Sequence, residues 1–149
     1  MYRNILVPTD GSRLAAKGIK AGVRLARSLG ARVTGVYVIA PYVPPVYSEG
    51  AMYYVPGLSS RDYKKLSEKA AKKALAAVER EARAADVRCA TQFVTEAQPW
   101  QGILRVARAR KCDAIAMASH GRGGLGGLLL GSETNRVLAH SKIPVLVTR

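Results

Sequence analysis

Ala114-Ile-Ala-Met-Ala118-Ser-His-Gly121-Arg-Gly-Gly-Leu-Gly-Gly-Leu-Leu-Leu-Gly131-Ser132-Glu-Thr134 is the stretch that decides how this chain is read. An apolar run, Ala114–Ala118, stops in a loop that packs six glycines into eleven positions (121, 123, 124, 126, 127 and 131). It closes on Gly131-Ser132, where a helical pattern begins. A strand that ends in glycines and restarts as a helix exposes backbone N–H groups. The missing side chains allow an anion close approach, and the helix N-terminus adds partial positive charge. The stretch therefore predicts both an α/β fold and a phosphate-binding edge.

Outward from this unit the pattern repeats. Short β-branched runs at 4–7, 32–39, 87–95, 113–118 and 143–148 read as strands. Between them, 13–29, 61–85, 98–110 and 133–140 read as helices, with Ser12 as the first N-cap and Gly30 as the residue that ends that helix. The expected inward faces are Ala15, Ile19, Gly22, Leu25, Ala26 and Leu29 on the first helix, and Leu66, Ala70, Ala74, Ala77, Val78 and Ala82 on the second. On the third they are Ile103, Leu104, Val106 and Ala107. Strict alternation predicts one α/β domain over residues 1–149: a doubly wound, five-stranded parallel sheet in the order 3-2-1-4-5, with two helices on each face. Ligands of such sheets sit beyond the carboxyl ends of the strands near the point where strand order reverses. Both Pro8-Thr9-Asp10-Gly11 and the glycine-rich loop follow strands, so both belong at that edge. The segment Ala40–Ser60, with prolines at 41, 44, 45 and 56 and tyrosines at 42, 47, 53 and 54, is too irregular for a helix. It is read as a lid, a dimer contact or a disordered loop.

Composition narrows the class. The chain has 149 residues, 48% of them hydrophobic, and no apolar run near the roughly 18–20 residues of a membrane span. Its first residues run straight into a strand and lack the pattern of a signal peptide, so a cytoplasmic location is expected. Cys89 and Cys112 stand in no metal-ligand spacing and read as small buried hydrophobes. The formal net charge is +14. Between Gly11 and Arg32 lie six basic residues and no acid, and Arg13, Lys17, Lys20, Arg24 and Arg27 form one helical stripe. A solvated helix face and a polyanion-binding face both fit that stripe. No nucleic-acid recognition motif is present and no aromatics interleave with it, so nucleic acid is not expected as a specific partner.

No nucleophile–base pair, carboxylate dyad or protein metal site stands out, which leaves no catalytic residue to name. Neither a P-loop nor G-x-G-x-x-G after the first strand occurs. Asp10 reads either as a cap for the first helix or as a ligand contact, and His120 as a solvated loop histidine or a site residue. His140 reads as a helix C-terminal residue favoured by the dipole.

With Ile5-Leu-Val-Pro-Thr-Asp-Gly-Ser12, Gly35-Val-Tyr-Val38, Ser119-His-Gly-Arg-Gly, Leu130-Gly-Ser-Glu-Thr and Lys142-Ile-Pro-Val-Leu-Val147 in place, the chain resembles the universal stress protein family along its whole length. That family's nucleotide-binding branch carries Gly, two residues, Gly, nine residues, then Gly-Ser or Gly-Thr. Here Gly121, Gly131 and Ser132 match, and Ala118 stands at the first glycine. The resemblance implies ATP, or AMP or ADP, with Mg²⁺ carried by the phosphates. It implies Pro8 and Thr9 at the adenine-side wall and Asp10 at the ribose or at water near the metal–phosphate end. Val38 would lie at the base, with Met117 and Ala118 at the pocket floor. Gly121, Gly131, Ser132, Glu133 and Thr134 would hold the phosphates, mostly through backbone N–H groups, with the Ser132 and Thr134 hydroxyls as added donors; His120 is carried as a further contact. It further implies a homodimer through the C-terminal edge strand, a regulatory role in stress, and at most slow ATP hydrolysis. The alternatives are a dimeric interaction protein with a vestigial nucleotide site, and polyanion binding through the basic helical face.

Overall fold

A computed structural model describes residues 1–44, 57–120 and 130–149. The elements alternate as β1 (Asn4–Pro8), α1 (Ala15–Leu29), β2 (Arg32–Ile39), α2 (Ser60–Ala84), β3 (Cys89–Thr95), α3 (Pro99–Ala109), β4 (Ala114–Ala118), α4 (Ser132–His140) and β5 (Val145–Thr148). The strands form one sheet in the order β3-β2-β1-β4-β5, and every pairing is parallel. The expected fold class is what the chain adopts. No helix among the described residues is long and apolar enough to cross a membrane.

The strands are apolar on both sides because both sides are covered. In β1, Ile5 and Val7 join Ile19, Val23 and Ala26 of α1 and Val78 and Ala82 of α2 in one core. Leu6, between them, turns to the other side and packs with Ile103 and Val106 of α3, Ile115 and Met117 of β4 and Val137 of α4. A smaller cluster joins Tyr37 and Ile39 of β2 to Ala71, Ala74 and Leu75 of α2. Thus α1 and α2 lie on one face, α3 and α4 on the other.

Local chemistry sets the helix ends. Ser12 Oγ accepts from Ala15 N at 3.1 Å, so it caps the amide that opens α1, although the helix starts two residues later than the pattern predicts. Gly30 ends α1 in the left-handed region at φ 64°, where a side chain would be strained. Ser59 caps α2: its Oγ accepts from Asp62 N at 3.1 Å and its hydroxyl donates to the Asp62 carboxylate at 2.7 Å. Helix and sheet approach closely at Gly18, where an added Cβ would lie 2.5 Å from Ala118 N. That glycine seats α1 directly on the end of β4.

Several details differ from the sequence reading. On α2 the inward row is Ala71, Ala74, Leu75, Val78 and Ala82. Leu66 (54% exposed) and Ala70 face outward, because α2 starts at Ser60 and projects past the sheet before its packed stretch begins. Gly18 and Val23 replace Leu25 and Leu29 among the fully covered residues of α1. β3 begins at Cys89 and β5 at Val145, each later than the apolar run leading into it. Pro144, lacking an N–H, supplies its carbonyl to Ile115 N from outside β5. Cys112 is buried, but Cys89 on edge strand β3 is only partly so. Burial pushes the Cys89 thiol up to about 11, with the nearby Glu79 charge adding to it. Burial also raises Cys112. The tyrosine- and proline-rich segment falls outside the described residues over 45–56.

Candidate functional site

At the carboxyl edge the chain leaves β1 and β4 in different directions and a cleft opens between them. Thr9, just after β1, keeps one more ladder bond, N to Val36 O at 3.0 Å. The turn that follows is tied by its own side chains. Thr9 Oγ1 accepts from Gly11 N at 3.2 Å, and Asp10 Oδ1 accepts from Ser12 N at 2.9 Å. These bonds fix Asp10 at the rim and link it to the residue that caps α1. Asp10 does not cap α1 itself: its carboxylate holds Ser12 N, and Ser12 bonds the Ala15 amide.

On the other side, Ser119 N donates to Thr148 O at 2.7 Å, and Ser119 O accepts from Gly131 N at 2.8 Å. The chain thus returns from the glycine-rich loop to where it left β4, and α4 starts there. The first hydrogen bond of that turn runs from Asn135 N to Gly131 O at 3.0 Å. The amides of Ser132, Glu133 and Thr134 have no carbonyl one turn earlier, so they point out of the helix start. Ser132 is exposed and Thr134 is buried. Contrary to the expectation that its hydroxyl is a ligand donor, Thr134 Oγ1 donates to Ala118 O at 3.1 Å. A buried hydroxyl needs a partner, and the nearest carbonyl is that of the strand end.

The cleft encloses about 350 Å³. Pro8, Thr9, Asp10, Val38, Met117, Ala118, His120, Ser132, Glu133 and Thr134 line it. Gly131 sits immediately behind, its Cα side 3.1 Å from Ser119 O were a Cβ added. Gly121 lies outside the described residues. Sequence reasoning missed Ala15, Val36, Tyr37, Pro99 and Ile103, which also line the cleft. Val36 could have been found, since it pairs with Pro8 in the parallel register. Nothing in the spacing points to Pro99 or Ile103, which arrive because Gly102 lets α3 lie against Val38.

Two environments meet in this volume. Val36, Val38, Ile103 and Met117 make an apolar end, and the start of α4 makes a polar one. Among the described lining residues the charged side chains are the carboxylates of Asp10 and Glu133, with no Lys or Arg. Glu133 is turned toward α3: its Oε2 accepts from Trp100 N at 2.9 Å, in the first turn of that helix. Its Oε1 lies 3.6 Å from Arg136, which also donates to Gln98 Oε1 at 2.6 Å. Among the described residues, positive potential toward the cleft comes from backbone dipoles. His120 reaches the rim with Nδ1 3.1 Å from Ser119 Oγ. His140, at the far end of α4, bonds Arg136 O at 2.9 Å and stacks on Trp100 at 4.3 Å.

The model of the universal stress protein family matches residues 1–149. The chain belongs to that family. Among its relatives, a universal stress protein of Methanocaldococcus jannaschii is 30% identical, aligned over all of this chain and 83% of its own length. One of Thermus aquaticus is 30% identical over the full length of both chains. The universal stress protein fold is shared with two solved structures. One is a universal stress protein in complex with cAMP, 21% identical with a TM-score of 0.70, covering 99% of this chain and 97% of that one. The other is the Archaeoglobus fulgidus universal stress protein in complex with dAMP, 19% identical with a TM-score of 0.70, covering 99% and 98%.

Proposed function

We propose that this universal stress protein binds an adenine nucleotide, ATP or its AMP and ADP counterparts, in the cleft between β1 and β4. It acts as a nucleotide-responsive regulatory module in the stress response, and the reading puts its work in the cytoplasm. The observation that carries it is the polarity of the cleft. An apolar end of Val36, Val38, Ile103 and Met117 suits a purine, and free helix-opening amides at 132–134 suit phosphates. Two structures of the same fold hold adenine nucleotides, cAMP and dAMP. Gly121, Gly131 and Ser132 match the family's nucleotide-binding pattern in the sequence, with Ala118 in place of its first glycine. Among the described residues no three His, Cys, Asp or Glu side chains converge, so Mg²⁺ would be carried by phosphate oxygens and water. No described base is set to activate a water, and ATP hydrolysis is at most slow on this reading.

The same proposal includes a homodimer through β5. That strand is a sheet edge, and Leu146 on it is 42% exposed. The mass in solution by light scattering tests it. A monomeric mass, or a dimeric mass unchanged by Leu146→Lys, rejects it.

For the nucleotide, the protein is purified with none added and then denatured, and released small molecules are identified by ultraviolet absorbance and mass. Thermal shifts with MgATP, AMP and cAMP at millimolar concentration complete the test. Released adenine nucleotide, or a saturable shift, is the expected result. Absence of both sinks the proposal.

A further inference from the structure

The face of the sheet away from α3 and α4 carries a row of exposed cations. From the turn before α1 and along that helix, the exposed cations Arg13, Lys17, Lys20, Arg24 and Arg27 advance by 4, 3, 4 and 3 residues, opposite the buried row. At about 1.5 Å per residue they span roughly 21 Å in one line. No acidic residue lies on α1. Beside it, exposed Lys69, Lys73 and Arg80 occupy the ridge of α2 opposite Ala71 and Val78. The ion pairs among the described residues are Arg105–Glu96 and Arg136–Glu133. Both belong to the opposite face. The basic row lies outside both of these pairs, and α1 itself supplies no acid to answer it.

We propose that the outward face of α1, with the adjoining ridge of α2, docks the phosphate backbone of duplex nucleic acid without reading its sequence. Over about 21 Å one strand of a duplex presents roughly six phosphates, a match in length and number for Arg13 and the four cations of α1. Around those cations the exposed residues are mostly small, Ala16 and Ser28 with Ala21 partly covered, and Leu14 at 38% exposure is a single large apolar side chain among them. A membrane-bound helix would set bulky apolar anchors there. A single-strand binder would set aromatics for stacking, and α1 has none. The absence of a base-reading motif from the sequence is no obstacle, because backbone contacts carry no sequence information. This surface is separate from the nucleotide cleft and its function does not depend on it.

The experiment titrates the full chain against a fluorescein-labelled mixed-sequence duplex of about 20 base pairs over a series of salt concentrations. The expected result is binding that weakens steeply with salt. The log–log slope should lie near −4 to −5, as about five neutralised phosphates require. A second duplex of unrelated sequence should bind within about threefold. The triple variant Lys17→Glu, Lys20→Glu, Arg24→Glu changes exposed side chains only, so circular dichroism and the thermal shift with MgATP should stay as in the parent. Its duplex affinity should fall about tenfold or more at low salt, with a slope shallower by about three. Charge reversal at Arg105, Arg108 and Arg110, on α3 and its C-terminal end, serves as the comparison of equal charge and should retain more affinity. The proposal is overturned by no duplex binding at low salt, or by equal losses from the two reversals. Tighter binding to phosphatidylserine vesicles or to poly-glutamate than to duplex overturns it equally.

Discussion

The hydroxyl of Thr134 donates to the carbonyl of Ala118 across 3.1 Å, with both residues buried. This single bond ties the start of α4 to the end of β4, the two elements between which the glycine-rich loop runs. It sets where the amides at 132–134 point.

Thr134→Val keeps the shape and removes the donor. The Ala118 carbonyl then has one partner fewer in a dry environment, and the expected loss is about 1–3 kcal/mol in chemical unfolding. Nucleotide affinity should fall with it, because the opening of α4 is no longer held. Thr134→Ser restores the hydroxyl and should recover most of both. A Val variant as stable as the parent contradicts the assigned role.

Gly18→Ala tests the seating of α1. Its Cβ would meet backbone at 2.5 Å from Ala118 N and 2.9 Å from Met117 C, where no flexible side chain can yield. Overpacking of this kind costs about 1–3 kcal/mol, and the thermal midpoint should drop accordingly. Ala118→Gly probes the same contact from the other side. Ala114 and Ala116 pack toward α1, and strand alternation turns the Ala118 methyl the same way. The expected result is a loss of about 0.5–1 kcal/mol, with nucleotide affinity changed only a few-fold. A large gain in affinity would show instead that the methyl obstructs phosphate.

Glu133→Gln separates stability from binding. The carboxylate accepts from Trp100 N and sits beside Arg136, so neutralising it weakens the hold on the first turn of α3. The helix-end charge contributes about 0.3–1 kcal/mol at such a partly exposed position. The same change removes a negative charge from the cleft. Thermal stability without ligand should fall slightly while affinity for a phosphate-bearing ligand rises. Movement of both in one direction refutes this division.

The two thiols predict a dependence on alkaline pH. Burial raises both, Cys89 to about 11. The folded state therefore holds its thiol protons at pH values where the unfolded chain releases them. The associated stability is complete below the ordinary thiol range and is lost as pH climbs from there through about 11. Urea midpoints should fall across that window, and less so in Cys89→Ser. Reaction of the native thiols with a disulfide reagent near neutral pH should be slow.

The legible parts of this molecule are those where one residue type has one physical use. The glycine run, the β-branched strands and Gly30 told the fold because each answers a backbone demand. Ser132 and Gly131 told the polar end of the cleft for the same reason. The α2 face was misread at Leu66 and Ala70, since periodicity cannot show where a long helix begins to meet its sheet. Ile103 and Pro99 were invisible because their nearness to Val38 is a property of packing between distant segments. Val38 itself came from family resemblance, with no signal in its own neighbourhood. Thr134 lines the cleft, but its hydroxyl donates to the Ala118 carbonyl, a partner that no sequence pattern indicates.

The chain has one tryptophan, and Trp100 sits with its amide on Glu133 and its ring on His140. Those partners come from the two ends of α4, the helix whose first turn opens the cleft. Residue 100 is thus tied to α4 twice, by its backbone to the first turn and by its indole to the last. If the cleft takes a nucleotide as proposed, the emission of this tryptophan should change on binding, readable without a label in a single cuvette.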